Sequence, residues 1–448
     1  MLNRKVIFFI VAILLSIQNV KSQSGFHFYG NDFEKVKVRF QLINNLIVFP
    51  IQVNGKQLSF ILDTGVTKTI LFSLRSSDSL VIKNTENVTL SGLGRGKSAD
   101  ALLAKNNTFQ IKGLKSTNED LYIVTETTID LSSKMGTTIH GIIGYNLLKD
   151  VVVKVDYRNK FLEFINPRAF DLQFCKRCKE FPIQIRNKKP FIEGKLVLAD
   201  SISQKKVDVK LLIDSGGSDA LWLFEKSKPS IKSPENYFND VLGEGLSGTI
   251  YGKRSRIKGF MLGDYFMKEP TVSYLDSLST SKAMQFKERN GSLGGDVLRR
   301  FRVWIDYPNR RIILKKTGSF TSGFNYNMSG LTVAYNGKKL VKKEQESAGF
   351  GNGNEGVRNQ GQLFFVSNYR YVFLPVYKID NVIPDSPAGL AGIKEGDIIE
   401  AINYKLAYDY TLQDILNLFQ SKNNKKIIMK IKRDGKTMRF KFNLKRKI

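Results

Sequence analysis

The sequence predicts a mainly β protein in which one structural unit occurs twice and is followed by a smaller α+β domain. Three observations support this: matching segments recur about 150 positions apart, long amphipathic helical patterns are scarce over residues 30–320, and the sequence changes character after about residue 325. Short apolar runs bounded by Gly, Asn and Asp turns are typical of β-hairpins. Self-similarity at a fixed spacing indicates a duplicated unit.

The composition is that of a globular chain with excess positive charge. The 448 residues include 70 Lys and Arg against 41 Asp and Glu, a formal net charge of +29, and 42% are hydrophobic. These fractions exclude a disordered or collagen-like chain. Two Cys and two His are too few for a disulfide scaffold or zinc modules, and they give little support to Ser-His-Asp or Cys-His catalysis.

The amino terminus has the pattern of a secretory signal. Arg4 and Lys5 precede an apolar run over residues 6–15, and Ser22 closes a small-residue cleavage site. We therefore expect a signal peptide over residues 1–22, cleaved near Ser22, and an exported protein, periplasmic or extracellular in a bacterium. The alternative is an uncleaved anchor, although the apolar run is shorter than the roughly 20 residues of a spanning helix.

Export changes how the positive charge and the cysteine pair are interpreted. A Lys-rich solvated surface is favoured over nucleic-acid binding, and the basic stretch over residues 422–447 could add a weak attraction to anionic membrane surfaces. Cys175 and Cys178 form a CxxC pair with no βαβ pattern around it. This predicts a local disulfide between the two copies, or a free thiol pair, without a catalytic role.

The strongest match in the repeat places an aspartate after an apolar strand. Residues 58–65 read Leu-Ser-Phe-Ile-Leu-Asp-Thr-Gly and residues 209–216 read Val-Lys-Leu-Leu-Ile-Asp-Ser-Gly, so that Asp63 and Asp214 are 151 positions apart. Further matches relate residues 141–148 to 291–298, Asp156 to Asp306, and the Gly-rich segment 92–94 to 243–245. A single Asp-Thr-Gly triplet is weak, since turn aspartates are common. Because Asp156 and Asp306 each start a turn after a strand, we interpret them as structural.

Asp63 and Asp214 would meet at the interface of the two copies if a pseudo-twofold axis relates them. Two carboxylates in contact share one proton, because both cannot ionise cheaply. The ionised member can take a proton from a trapped water, while the neutral member hydrogen-bonds the carbonyl oxygen under attack. This chemistry hydrolyses an amide without a metal, a cofactor or a covalent intermediate.

Over residues 35–320 the sequence resembles the retropepsin and pepsin-like aspartic proteases, in a two-lobed bacterial form. The resemblance implies duplicated retropepsin-like β-barrel lobes in a bilobal fold, lobe 1 over residues 30–172 and lobe 2 over residues 180–322, with Asp63 and Asp214 as the catalytic dyad. The residues implied to support the dyad are Thr64 and Ser215 (cross-lobe hydroxyls), Gly65 and Gly216 (backbone amides), Ile142, Ile143, Gly144, Leu293 and Gly294 (packing behind the aspartates), and Gly92, Gly94, Gly243 and Gly245 (flaps).

Several positions depart from the pepsin pattern. Val66 and Gly217 stand where pepsins carry a Ser or Thr that bonds the outer carboxylate oxygens, which is closer to retropepsins and leaves the pH range open. The flap segments lack the pepsin flap tyrosine, and their glycines suggest two mobile flaps. Ser292 replaces an apolar residue, which predicts looser packing in the second copy.

Residues 325–448 resemble a PDZ domain, on the Ser-Pro-Ala at 386–388, the Gly-Asp-Ile-Ile at 396–399 and an amphipathic helix over 409–420. We expect a flexible loop inserted at about residues 337–362. The resemblance implies that a carboxyl-terminal or internal peptide binds beside a strand and the helix, although Pro375 weakens the recognition of a carboxylate. The groove residues it implies are Leu374, Val376, Tyr377, Ile379, Leu412 and Ile415. Substrate delivery, regulation and simple docking against the lobes stay open as roles.

These features favour an exported aspartic endopeptidase that acts on protein or peptide substrates and needs no cofactor. One alternative is a catalytically silent adaptor that binds peptides through the lobe cleft and the PDZ groove. Another is a basic, surface-associated protein whose lobes are scaffolding. The intact pair of Asp-Thr/Ser-Gly triplets favours the enzyme.

Overall fold

The computed structural model describes residues 25–30, 34–72, 80–94, 96, 98–125, 130–173, 175–199, 204–275, 280, 283–345 and 368–448. The predicted signal peptide and the part of the predicted loop from residue 346 onward lie outside the described residues. The described chain forms two compact units. The first unit contains the residues up to Asp130 and from Ile139 to Phe324, and the second contains Leu131–Thr138 and Asn325–Lys447.

Strands make up 54% of the structure and helices 9%, which confirms the mainly β class. The strands are β1 (His27–Phe28), β2 (Lys35–Arg39), β3 (Gln41–Ile43), β4 (Leu46–Val53), β5 (Lys56–Leu62), β6 (Thr69–Leu71), β7 (Thr85–Leu90), β8 (Ala99–Ile111), β9 (Leu114–Val124), β10 (Gly141–Ile143), β11 (Val152–Asp156), β12 (Phe161–Ile165), β13 (Lys179–Pro182), β14 (Gln184–Arg186), β15 (Lys189–Ala199), β16 (Gln204–Ile213), β17 (Leu221–Phe224), β18 (Phe238–Gly245), β19 (Gly248–Arg256), β20 (Gly259–Leu262), β21 (Tyr265–Lys268), β22 (Thr271–Leu275), β23 (Arg289–Leu293), β24 (Phe301–Asp306), β25 (Arg311–Lys316), β26 (Leu331–Gln345), β27 (Asn368–Val382), β28 (Ile398–Ile402), β29 (Lys405–Leu406), β30 (Lys426–Arg433) and β31 (Lys436–Asn443).

The helices are short. They are α1 (Leu131–Met135), α2 (Tyr145–Leu148), α3 (Gly295–Leu298), α4 (Pro387–Leu390) and α5 (Leu412–Phe419), with 3₁₀ turns at Pro167–Ala169, Ala283–Gln285 and Ala407–Asp409. None of the helices in the described part of the chain has the length and apolarity needed to cross a bilayer.

Two sheets of the first unit share one strand arrangement, as the sequence repeat predicts. In the first copy β10 runs parallel to β5 and antiparallel to β6, and β6 runs parallel to β9. In the second copy β23 has the same relation to β16 and β17, and β17 runs parallel to β22. Asp63 directly follows β5, which lies parallel to β10. Asp214 directly follows β16, which lies parallel to β23.

A third sheet joins the two copies. Its order is β13-β25-β24-β11-β12-β2, and β11 of the first copy pairs with β24 of the second. Asp156 accepts a hydrogen bond from the Asn159 amide at 3.0 Å, and Asp306 accepts one from the Asn309 amide at 3.1 Å. These contacts close the turns of the two hairpins and confirm the structural interpretation of both aspartates.

Cys175 and Cys178 are disulfide-bonded, the first of the two states left open by the sequence. The pair packs against a small apolar cluster that includes Val152, Trp304 and Ile313, on the sheet that joins the copies.

The second unit is a single sheet with α5 packed beside it. The strand order is β26-β27-β28-β30-β31, with β29 paired to β28, so β26 lies at one edge of the sheet that the described residues form. Thr411 and Asp414 make a capping box at the start of α5, and Leu412, Ile415 and Phe419 form its buried face. The helix lies within the range that the sequence predicts, residues 409–420.

The prediction of a flexible loop from residue 337 was wrong over its first part. Strand β26 continues to Gln345 and pairs with β27 from Lys338 to Gln345. The Lys-rich composition suggested a solvated loop, but Leu340 and Val341 face Phe373 and Val372 across the hairpin. Cross-strand pairs of this kind stabilise a hairpin even where charged residues separate the apolar ones.

Candidate active site

Asp63 and Asp214 lie side by side, each against the glycine turn of the other copy. A Cβ atom built on Gly216 would lie 2.3 Å from Cγ of Asp63, and one built on Gly65 would lie 3.2 Å from Oδ1 of Asp214. The Gly65 amide also donates to Oδ1 of Asp63 at 2.7 Å. Only glycine allows so close a backbone approach, so each triplet needs its third residue for the geometry of the pair.

Thr64 and Ser215 connect the two triplets through four hydrogen bonds. The Thr64 amide donates to Ser215 Oγ at 3.0 Å, and the Ser215 amide donates to Thr64 Oγ1 at 2.9 Å. Each hydroxyl then donates to a carbonyl of the other copy, Thr64 to Ile213 at 2.7 Å and Ser215 to Leu62 at 2.8 Å. Both side chains are buried, so these bonds satisfy polar groups that water cannot reach.

The segments that end at Gly144 and Gly294 lie directly behind the aspartates. The amide of Asp63 donates to the Ile143 carbonyl at 2.9 Å, and the amide of Asp214 donates to the Leu293 carbonyl at 2.9 Å. A Cβ on Gly144 would lie 2.0 Å from the Asp63 carbonyl oxygen. The equivalent Cβ on Gly294 would lie 2.3 Å from the carbonyl oxygen of Asp219 and 2.9 Å from that of Gly217, on the loop that follows Asp214. Ile142 pairs with both neighbouring strands of the first copy.

The looser packing predicted at Ser292 is not observed. Ser292 is only 3% exposed, and its hydroxyl accepts a hydrogen bond from Nη2 of Arg289 at 2.8 Å. Arg289 is itself buried, donates from Nε to the Gly291 carbonyl at 3.1 Å, and lies over the ring of Phe224. A serine fits at this buried position because its hydroxyl pairs with the buried guanidinium of Arg289.

The electrostatics of the pair are those of two carboxyls held out of water. Burial, followed by the neighbouring Asp214, raises the pKa of Asp63 from 3.8 to about 7. Burial also raises the pKa of Asp214, while the positive charges of Arg289 and Lys189 oppose that rise. Desolvation disfavours the charged form, and a nearby like charge adds to the effect. The pair therefore holds a proton well above the ordinary pKa of an aspartate.

Sequence reasoning missed three residues of the site: Lys189, Arg289 and Tyr307. The Tyr307 hydroxyl donates to the Thr64 carbonyl at 3.2 Å, and its position in the repeated Asp-Tyr pair was an available signal. The two cations gave no signal in the repeat, because the position 150 residues before Arg289 holds Ile139. Both cations influence the dyad only through the tertiary fold.

The two predicted flap segments meet at their tips. The amide of Gly96 donates to the Ser247 carbonyl at 2.6 Å, and the Ser247 amide donates to the Leu93 carbonyl at 3.0 Å. Three of the four predicted flap glycines, Gly92, Gly94 and Gly245, lie at this contact, where a Cβ would fall within 2.9 Å of the opposite segment. Gly243 does not: the nearest atom to its built Cβ is 3.9 Å away, on Trp222.

The structure places the residues predicted for the PDZ groove on β27 and α5. Tyr377 and Ile379 are buried on β27, which pairs with β26 on one side and β28 on the other, so this strand has no free edge near these residues. Leu374 and Val376 lie on the same strand, whereas Leu412 and Ile415 lie on the inner face of α5, as predicted. The edge that could accept a peptide belongs to β26, which follows Gly330. Local sequence similarity does not fix strand order, so the sequence alone did not identify β26 as an edge strand.

Comparison with known families agrees with this geometry. The sequence model of a family described as aspartyl protease matches residues 49–147, and that of the PDZ domain matches residues 378–433. The first match includes the Asp63 triplet and the segment ending at Gly144. A search of curated proteins found no match to the chain.

These findings define a domain of the aspartyl protease type within the chain. More specifically, the chain combines a retropepsin-like aspartyl protease domain with a carboxyl-terminal PDZ domain.

Proposed function

We propose that this protein is an exported aspartic endopeptidase in which Asp63 and Asp214 activate a water molecule against a peptide bond. The observation that carries the proposal is the convergence of the two buried carboxyls, each enclosed by the glycine turn of the other copy. A pair of carboxyls that shares a proton supplies an acid and a base at one point. Export is proposed from the signal pattern alone.

The surrounding positive charges act on the pair. Arg289 lowers the pKa of Asp214, and Lys189 lowers the pKa of both aspartates. In this proposal the negative charge of the pair lies on Asp214 and the proton on Asp63. Asp214 is the general base and Asp63 the general acid in the first step.

In that step Asp214 takes a proton from water while the water oxygen bonds to the peptide carbonyl carbon. Asp63 gives its proton to the carbonyl oxygen, which produces a tetrahedral diol. Asp214 then returns its proton to the peptide nitrogen as the C–N bond breaks, and Asp63 recovers a proton from one hydroxyl. The products are a carboxylic acid and an amine, and the dyad is restored.

The flap contact controls entry to this site. The hydrogen bonds between Gly96, Ser247 and Leu93 join the two tips. In this proposal the joined tips lie over the aspartates, and an extended substrate separates them before it reaches the dyad. Closure over the substrate would exclude bulk water from the dyad. In this proposal the PDZ domain binds a peptide, either to deliver substrate or to regulate the protease domain.

The proposal is tested with the chain from Gln23 onward and a reduced, alkylated protein as substrate, between pH 3 and pH 8. We expect new peptide termini, identified by mass spectrometry, and inhibition by a peptide with a statine-type hydroxyl that mimics the diol. Absence of cleavage at every pH, together with absence of inhibitor binding, would contradict the proposal and favour the silent adaptor.

A further inference from the structure

A short segment from the protease part of the sequence belongs to the second unit. Residues Leu131–Thr138 are grouped with the PDZ domain, whereas the chain on both sides, β9 before and β10 after, belongs to the first unit. The segment begins with α1, and two residues separate its end from β10. Eight residues of the first copy are thus part of the second unit.

The segment contacts both walls of the site where a PDZ domain binds its ligand. Helix α1 packs against β26, the edge strand, and Nζ of Lys134 lies 3.9 Å from Oδ2 of Asp380 on the adjoining β27. A Cβ built on Gly136 would lie 2.9 Å from Cβ of Leu412, the first residue of α5. Met135, between these two contacts, is 6% exposed.

PDZ ligands lie between an edge strand and the neighbouring helix. In this chain the strand is β26, whose Leu331 and Val333 are buried, and the helix is α5. The segment reaches the strand through α1 and the helix through Gly136. The positive φ of Gly136, +66°, turns the chain at the point where it meets Leu412, and the absence of a side chain allows the contact.

We infer that residues 131–138 are a built-in occupant of the PDZ groove, and that a second peptide binds there only by displacing them. A tethered occupant has an effective concentration in the millimolar range for short flexible connections, so it competes strongly with a free ligand. The groove therefore accepts an external peptide weakly until the segment leaves.

The test uses the full chain and a fluorescent synthetic peptide of residues 131–138 as the probe. Wild-type protein is compared with Gly136→Ala, which places a methyl group against Leu412, and with Met135→Asp, which places a charge at a buried position. We expect both variants to bind the probe at least ten times more tightly than wild type, a difference of about 1.4 kcal/mol. Far-ultraviolet circular dichroism confirms that each variant is folded.

Gly435→Ala is the matched control. Gly435 also has a positive φ, +79°, but no atom lies within 4 Å of its built Cβ, so this substitution adds the same backbone strain without the contact. We expect it to bind the probe like wild type. Equal affinity for the probe in wild type, Gly136→Ala and Met135→Asp would overturn the inference. So would the absence of probe binding by all three proteins.

Hydrogen exchange provides an independent readout. The amides of residues 131–138 should be protected in wild type and in Gly435→Ala, and they should exchange faster in Gly136→Ala. Saturating probe should also increase their exchange in the full-length wild-type chain. Protection that is unchanged by saturating probe would contradict a displaceable occupant.

Discussion

Thr64 and Ser215 are reciprocal partners: the amide of each residue donates to the hydroxyl of the other, at 3.0 and 2.9 Å. The two residues are 151 positions apart in the sequence and belong to different copies of the repeat. Since each directly follows a candidate catalytic aspartate, their bonds fix the distance and orientation of the two carboxyls. The two carboxyls are thus positioned by backbone and hydroxyl groups of the residues that follow them.

Removal of one hydroxyl should destabilise the first unit. Thr64→Ala leaves the Ser215 amide and the Ile213 carbonyl without their partner in a buried site, and each such group costs about 1–3 kcal/mol. We expect a loss of roughly 2–4 kcal/mol in the free energy of unfolding, measured with urea. Thr64→Ser keeps the hydroxyl and should lose less than about 1.5 kcal/mol. Equal losses in the two variants would contradict a role for the hydroxyl.

The glycine turns provide a matched pair of substitutions. A Cβ on Gly216 would lie 2.3 Å from Cγ and Oδ2 of Asp63, so Gly216→Ala must move the carboxyl. A Cβ on Gly217 meets nothing closer than 3.5 Å, an ordinary contact. We expect kcat to fall on the order of a hundredfold in Gly216→Ala, because a displacement near 1 Å costs that much, and to change little in Gly217→Ala. A similar kcat in both variants would show that the close approach is unimportant.

Lys189 should set the alkaline limit of activity. Its positive charge lowers the pKa of both aspartates, so its removal should raise them. Activity needs one proton on the pair and is lost when that proton leaves. The alkaline limb of the rate profile should therefore move to higher pH in Lys189→Met.

The control for this prediction is Lys188→Met, on the neighbouring turn. Lys188 is exposed and lies over the ring of Tyr145. Its pH profile should match that of wild type. A shift of equal size in both variants would indicate a general effect of net charge.

The raised pKa of Asp63 also predicts how stability depends on pH. Between 3.8 and about 7 the folded protein holds a proton that the unfolded chain has released, so the free energy of unfolding should fall as the pH rises through this interval. Asp63→Asn removes the buried charge and should be more stable than wild type at pH 7, by on the order of 1–3 kcal/mol. Urea unfolding at pH 4.5 and pH 7 measures both effects. A wild type that gains stability over this interval relative to the variant would contradict the assignment.

The sequence was sufficient to predict the fold class and the positions of the two aspartates, because both predictions depend on short local patterns that occur twice. An apolar strand that ends in Asp-Thr-Gly or Asp-Ser-Gly has its signal within eight residues, and the second copy reinforces it. The same is true of the Gly144 and Gly294 segments and of α5, with its capping residues and apolar face. These features needed no knowledge of distant contacts.

The features that were missed depend on distant contacts. Arg289 and Lys189 are ordinary cations in the sequence, and only the fold brings them near the dyad. The position of β26 at the sheet edge follows from strand order, which similarity around residue 377 does not determine. The segment at 131–138 has no local pattern that predicts its place in the second unit.

The most direct test of the account compares Asp63→Asn and Asp214→Asn with Asp208→Asn in the cleavage of an unfolded protein. Asp208 lies on the strand that leads to Asp214, but its side chain is 76% exposed and pairs with Lys195, so it serves as the matched control. We expect both dyad variants to retain their fold and to lose cleavage at every pH from 3 to 8, while Asp208→Asn cleaves like wild type. Cleavage at the wild-type rate by either dyad variant would contradict the shared active site.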